Sequence, residues 1–302
     1  MSELFESDYR SLHERWAYLP LNEFSLLKLT GDDRIDWLQG QATNDVRSLA
    51  EAGNRTSFCF CEPTGGLVSV MDAWSLDDSI LLATPQVRMV AVLDRIEKMT
   101  ILEDVAAFAT GYYGISIQGP RASEELFDPA HDVNVTDDGI TLRSDRTPSG
   151  GWDFWQPIPF VGKRTVLKEV AEVVRLEAGI PKWDIDMGVK TLAPEMGEAF
   201  ESRHVSYTKG CYTGQEILMR IHARGHTNRT WVGLLAASEM KVGDTVTFEG
   251  KAIGTVTSAA YSPLLGHLAA ASLRNEATTE GQQVTVGETE AEVRQMPILR
   301  SA

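Results

Sequence analysis

Apolar and polar positions alternate with two different periods along the first two thirds of the chain, and the switch between them marks the elements. Phe24 to Leu29 alternates with a period of two and predicts a strand. Thr30-Gly31-Asp32-Asp33 then offers a capping pattern ahead of a helix carrying Ile35, Trp37 and Leu38, which Gly40 closes. Leu67 to Trp74 and Ser79 to Ala83 predict strands. Pro85 to Met99 predicts a helix, with Val87, Val90, Leu93 and Ile96 on one face. Tyr112 to Ile117 predicts another strand, and Pro120 opens a helix through Leu126. Trp152 to Trp155 and Lys163 to Leu176 repeat the order of strand then helix. This alternation predicts an α+β fold layered on antiparallel sheets.

Beyond Arg229 the texture changes to short strand-like pieces separated by glycine turns. They are Trp231 to Leu235, Thr245 to Phe248, Ala252 to Ser258, His267 to Ser272, Gln283 to Val286 and Glu290 to Arg294. Short strands at near-regular spacing predict a small β-barrel or sandwich. A boundary near residue 230 therefore divides the chain into an α+β region, 1–229, and a C-terminal β unit, 230–302.

With 302 residues the chain is long enough for two or more packed units. No apolar run approaches the roughly 20 residues that span a bilayer. The opening Met1-Ser2-Glu3-Leu4-Phe5-Glu6-Ser7-Asp8 lacks the apolar core of a secretory signal, so no membrane association and a cytoplasmic location are expected. Three cysteines, Cys59, Cys61 and Cys211, do not make a disulfide framework. Cys59 and Cys61 fall on one face of an apolar strand, where core packing is the better reading.

Charge changes the picture locally. The whole chain carries a formal net charge of −15, yet Arg203 to Arg229 holds five bases against the lone acid Glu216, a local net of +4. His204, His222 and His226 fall in the same stretch. A basic island in an acidic protein points to an anionic ligand of limited size, since a nucleic-acid binder spreads its positive charge more widely. Direct nucleic-acid binding is not expected.

Inside that island lies Lys209-Gly210-Cys211-Tyr212-Thr213-Gly214-Gln215-Glu216. Thr213 and Glu216 have capping-box spacing, which predicts a helix starting at Thr213 with Ile217, Leu218 and Ile221 on one face. Cys211 then lies two residues before the cap, where Lys209 and the helix dipole favour a thiolate. On spacing alone, a reactive cysteine and a buried inert one stand level.

The octapeptide resembles the K-G-C-[YF]-x-G-Q-E signature of YgfZ-type folate-binding proteins, relatives of the glycine-cleavage T-protein, an aminomethyltransferase. The segments running from Leu26 to Val46 and from Ile115 to Pro120 resemble that family too. So do Arg175-Leu176-Glu177-Ala178-Gly179 and Gly254-Thr255-Val256-Thr257-Ser258. The resemblance implies two intertwined α+β subdomains around a folate pocket, followed by a β-barrel. It also implies binding of tetrahydrofolate or a one-carbon derivative, and an accessory role in iron–sulfur cluster assembly or repair that reaches tRNA-modifying enzymes. Iron–sulfur proteins would be its clients.

Residue by residue, the resemblance assigns Cys211 and Lys209 to chemistry and Glu195, Arg229, Arg220, Phe24, Asn44 and Tyr212 to the folate. Glu195 follows Asp184-Ile185-Asp186 and Thr191-Leu192-Ala193-Pro194, as does the T-protein glutamate that contacts the pterin. Arg229, ahead of Val232-Gly233-Leu234, corresponds to a partner for the glutamate tail. By residue type alone, Glu195 is also an ordinary loop acid and Asn44 an ordinary turn cap. The departures are equally specific. After Gly65-Gly66, Ser69 and Val70 stand where the T-protein has paired aspartates, and Asp72 comes two residues late. Cys211 replaces an aspartate, and Phe24 stands where YgfZ-type proteins have a tryptophan that stacks on folate. The pattern points away from glycine cleavage and toward a thiol-dependent role. The competing expectation is a folate-dependent one-carbon transferase or demethylase using Glu195 and Asp72.

Overall fold

The computed structural model describes residues 2–125 and 131–299. In chain order the elements are α1 (Glu3–Glu14), β1 (Ala17–Pro20), β2 (Phe24–Thr30), α2 (Arg34–Gln41), β3 (Arg55–Cys61), β4 (Leu67–Ser75), β5 (Ile80–Pro85), α3 (Met89–Met99), β6 (Ala106–Ala109) and β7 (Tyr113–Gln118). They continue with β8 (Val133–Val135), β9 (Ile140–Ser144), β10 (Gly151–Gln156), α4 (Lys168–Glu177), α5 (Glu198–His204) and α6 (Gln215–Arg224). The last six are β11 (Arg229–Ala236), β12 (Thr245–Phe248), β13 (Lys251–Ser262), β14 (Gly266–Arg274), β15 (Gln283–Val286) and β16 (Thr289–Arg294).

Two five-stranded antiparallel sheets, ordered β3-β4-β5-β2-β6 and β1-β7-β10-β9-β8, precede a closed barrel ordered β11-β14-β13-β12-β15-β16. The α+β reading with a C-terminal barrel is therefore correct. The period of two in β2 sets up the layers. Leu27 and Leu29 face α2 and α3 with Trp37, Leu38, Phe58, Phe60 and Ile96. Leu26 faces the opposite way, with Trp74 and Leu81 against Leu142 and Trp155 of the second sheet. A third cluster joins β3 and β4 to the barrel through Cys59, Cys61, Leu67, Tyr212, Leu218 and Trp231. Among the described residues no helix is long and apolar enough to cross a membrane.

Three local expectations are corrected. The buried face of α3 is formed by Val92 and Ile96, with Met89 and Leu93 packed against it, while Val87 and Val90 are exposed. Val87 sits in a separate 3-10 turn, so the helical register begins only after it. Asp33 does not cap α2, because its carboxylate accepts the Asp104 N–H at 2.7 Å; Gly40 lies within that helix, which runs to Gln41. The expected Pro120 to Leu126 helix is a single 3-10 turn at Ala122–Glu125, and Leu126 lies outside the described residues.

Candidate functional site

Three loops meet beside the barrel, and two glycines make the meeting possible. Gly65 has φ +82°, and a Cβ there would lie 3.0 Å from Ile217 of α6. Gly214 has φ +87°, and its Cβ would lie 2.7 Å from the Glu62 carbonyl oxygen. Both the backbone conformation and the close approach require glycine. The third loop joins because the Leu67 N–H donates to the Thr191 carbonyl at 3.0 Å, next to a bridge between Gly66 and Leu192. Thus Glu62 to Gly66, Thr191 to Glu195 and Cys211 to Gln215 form one surface.

Gly214 also overturns the expected capping box. It is the N-cap of α6, in a left-handed conformation that Thr213 would adopt only under strain, and no side chain caps the helix. Glu216 instead pairs with Arg220 at 2.6 Å, one turn on. Cys211 is exposed and lies four residues before Gln215, the first residue of α6. Lys209 has its ammonium engaged elsewhere. The ammonium is buried and donates to the carbonyl oxygens of Gln39 at 2.7 Å, Ala42 at 2.6 Å and Asn44 at 2.9 Å, which takes all three N–H donors. Burial pulls it down to about 8, with Asp45 opposing that shift. Cys59 and Cys61 are buried in the core; burial pushes the Cys59 thiol well up and that of Cys61 up to about 12.

Glu195 is half-buried, and its Oε2 accepts the Leu192 N–H at 2.9 Å. Burial raises its carboxyl, while that N–H and the charge of Arg229 pull the other way. Glu195 and Arg229 are therefore electrostatic neighbours. Arg229 is exposed and donates to the Ser272 carbonyl at 3.2 Å. Tyr212 is buried, its ring lies 5.1 Å from the Lys209 ammonium, and its hydroxyl has no hydrogen-bond partner. Arg220 stays on the exposed side of α6.

Phe24 and Asn44 are held elsewhere. The Arg146 guanidinium covers the Phe24 ring at 4.1 Å, so that face already has a stacking partner. The Asn44 amide donates to the carbonyl oxygens of Ser57 and Arg203, both at 2.9 Å, and its Oδ1 accepts the Asp45 N–H. Asn44 thus ties β3 to α5 beside a second feature, a cleft of about 300 Å³ lined by Arg55, Ser57, Asp72, Trp74, Asp145 and Arg203. Asp72 shares a face of β4 with Val70, two positions away. It accepts from Ser57 Oγ at 2.5 Å and Arg203 at 3.2 Å. Burial pushes its carboxyl up, but Arg203, Ser57 and Arg146 outweigh that and hold it down at about 2.

Two features of this region escaped the sequence reading. Arg203 belongs to this cleft rather than to the basic island. Asp186, in the Asp-Ile-Asp run, is a buried hub accepting from Arg175, Trp231, Thr257, Ser258 and the Lys182 N–H. Neither long-range pairing leaves a local spacing signal.

Comparison with known proteins bears on the fold as a whole. The glycine cleavage T-protein C-terminal barrel domain matches residues 229–299. The glycine cleavage aminomethyltransferase T from Bartonella henselae superposes with a TM-score of 0.84 over 98% of this chain and 90% of its own, at 16% identity. A tRNA-modifying protein YgfZ from Pectobacterium carotovorum is 27% identical, over 75% of this chain and 73% of its own. The chain therefore shares the fold of the aminomethyltransferase and is similar in sequence to YgfZ proteins. A putative chloroplastic transferase of Arabidopsis thaliana is 23% identical over 89% of this chain and 67% of its own length.

Proposed function

We propose that this chain has a YgfZ-type role in support of tRNA modification and iron–sulfur metabolism, binding a reduced folate beside Glu195 and Arg229 and using Cys211 as its reactive group. The observation that carries the reading is the packing of the Gly65 turn, the Thr191 to Glu195 loop and the turn that leads from Cys211 into α6 at Gly214 against one another, with the Arg229 charge reaching Glu195. A reduced folate has a flat pterin with N–H donors, a benzoyl linker and a tail of carboxylates. Glu195 has one carboxylate oxygen engaged by the backbone and would take the pterin donors with the other. Arg229 would meet the tail. Bound there, the folate would supply a carrier for one-carbon units, and the exposed thiol would be the chain's own nucleophile or cluster ligand.

Calorimetric titration with tetrahydrofolate tests the reading. Wild type is expected to bind, and Glu195→Ala and Arg229→Ala each to weaken binding by about tenfold, the effect of losing one charge-assisted hydrogen bond. No binding by wild type removes the folate. Alkylation with iodoacetamide tests the thiol: labelling of the native protein should stop at one cysteine, Cys211, with Cys59 and Cys61 reacting only after unfolding.

A second reading, a folate-dependent one-carbon transferase, draws on Asp72. Its carboxylate lines a cleft on the same face as Val70 and stays ionised at neutral pH, which suits a partner for a cationic amine donor. Turnover of methylated or aminomethylated donors with tetrahydrofolate as acceptor would establish it, and an inert donor panel would count against it.

A further inference from the structure

The N-terminal helix, α4 and the barrel meet at one carboxylate. Glu177 closes α4, its side chain is fully buried, and its Oε1 accepts the Tyr9 hydroxyl of α1 and the Ser262 hydroxyl of β13, both at 2.6 Å. Ser262 is itself fixed, because its Oγ accepts the N–H groups of Leu264 at 3.2 Å and Leu265 at 3.0 Å. The second carboxylate oxygen faces His13, in the last turn of α1, 3.0 Å from Nε2. On the other side of the ring, Nδ1 lies 2.9 Å from the Tyr9 carbonyl oxygen.

Those two contacts fix the state of the ring. A neutral imidazole has one N–H and one lone pair, so in either tautomer one nitrogen of His13 would present its lone pair to an oxygen. Both contacts are satisfied only when both nitrogens carry a proton, and imidazole is a stronger base than carboxylate. His13 is therefore an imidazolium, and a cation in the last turn also suits the helix dipole. Burial pulls His13 down, but the Glu177 hydrogen bond and the Tyr9 carbonyl outweigh it and raise the group above its ordinary 6.5. The titratable groups that act on the ring are Tyr9 and Glu14 of α1 and Glu177 of α4, while β13 brings the uncharged Ser262 to the same carboxylate.

Other contacts hold the helix further back. Tyr9 and Leu12 pack on Val166, Val170, Val173 and Val174, and Asp8 takes the Leu167 N–H at 3.0 Å and pairs with Arg164. His13 ties down the turn that follows.

We propose that His13 is the protonated pin of a pH-sensitive strap: as an imidazolium it fastens the last turn of α1 to Glu177, and the strap loosens when the proton leaves. The strap rests on no part of the folate reading. A histidine raised by folding contributes stability that is complete below about 6.5 and is lost as pH climbs through the raised value. Deprotonation also leaves Glu177 buried without its counter-charge.

Hydrogen exchange of the full chain, read segment by segment and corrected for intrinsic rates, tests the strap. From about pH 6 to about pH 9, protection in the last turn of α1 should fall about tenfold in wild type, the yield of one charge-assisted hydrogen bond, while β14 stays protected. His13→Gln removes the titrating charge, so its α1 should be loose already at the lower pH and show no step. His13→Lys stays charged across the range and should keep α1 protected at the higher pH. Protection of α1 that is flat in wild type, or that falls equally in His13→Gln, overturns the strap. A parallel loss in β14 does the same, since it would report opening of the barrel rather than of α1. Loosening of α1 in His13→Lys alongside the wild type would overturn the role of the charge.

Discussion

The joint between α4 and the barrel and the row from α6 to β11 both carry arginines, but they treat them in opposite ways. At the joint, Arg175 donates to Glu172, Asp186, the Ile180 carbonyl and Ser258, and every polar neighbour is matched. Nearby, the fully buried Glu177 accepts from Tyr9 and Ser262 and pairs with His13. Along the row, Arg229 faces Arg274 across the ladder, and among the described residues neither forms an ion pair. Buried charge has to be paired or hydrogen-bonded by the fold itself, or be given up by a pKa shift, because desolvation is costly. Exposed charge can be left for a ligand. Saturation therefore separates charge that holds the structure from charge that is free to bind.

The contrast breaks first at Asp186. Replacing it with alanine strips an acceptor from five donors and leaves Arg175 without its buried counter-charge. Chemical denaturation should show a loss of about 3–5 kcal/mol. A loss below about 1 kcal/mol would mean that the joint is not held by its charges.

Buried His204 gives the next largest effect, and it depends on pH. Burial lowers it from 6.5 to about 4, against Asp72 and the Phe200 carbonyl, which favour the charged form. The unfolded chain takes up a proton below about pH 6.5 while the folded chain resists until about 4. Stability is therefore present above 6.5 and lost as pH falls through that window, by about 3 kcal/mol from this group. His204→Leu should flatten that part of the stability profile.

Lys209→Met sharpens the comparison inside the motif. Three carbonyl oxygens lose their donor, so a destabilisation of about 2 kcal/mol is expected, with the alkylation rate of Cys211 unchanged. A slower alkylation rate would restore Lys209 as a thiol activator. Arg220→Ala should do least, under about 0.5 kcal/mol by thermal unfolding, because it breaks only an exposed pair one turn apart with Glu216.

Local pattern set the elements. The alternation in β2 marks one of the sandwiched strands, and the short strands after Arg229 mark a barrel, because strand periodicity records which side of each residue meets the core. The octapeptide carried the family likeness without any geometry. Its chemistry was another matter. Glu216, at capping distance from Thr213, chose Arg220 once Gly214 took the cap; Lys209, two residues from Cys211, turned inward to three carbonyls. Phe24 presented an aromatic face that Arg146, distant in sequence, covers.

By itself, then, the sequence determined the α+β layers, the barrel, the location of the exposed cysteine's motif and the excess of local positive charge. Only the tertiary structure decided which of those charges were already neutralised, and it brought Arg274 opposite Arg229 from 45 positions away in register. The physical reason is range. Propensity and periodicity act over a few residues, whereas the pairing of a charge depends on whichever segment the fold packs against it.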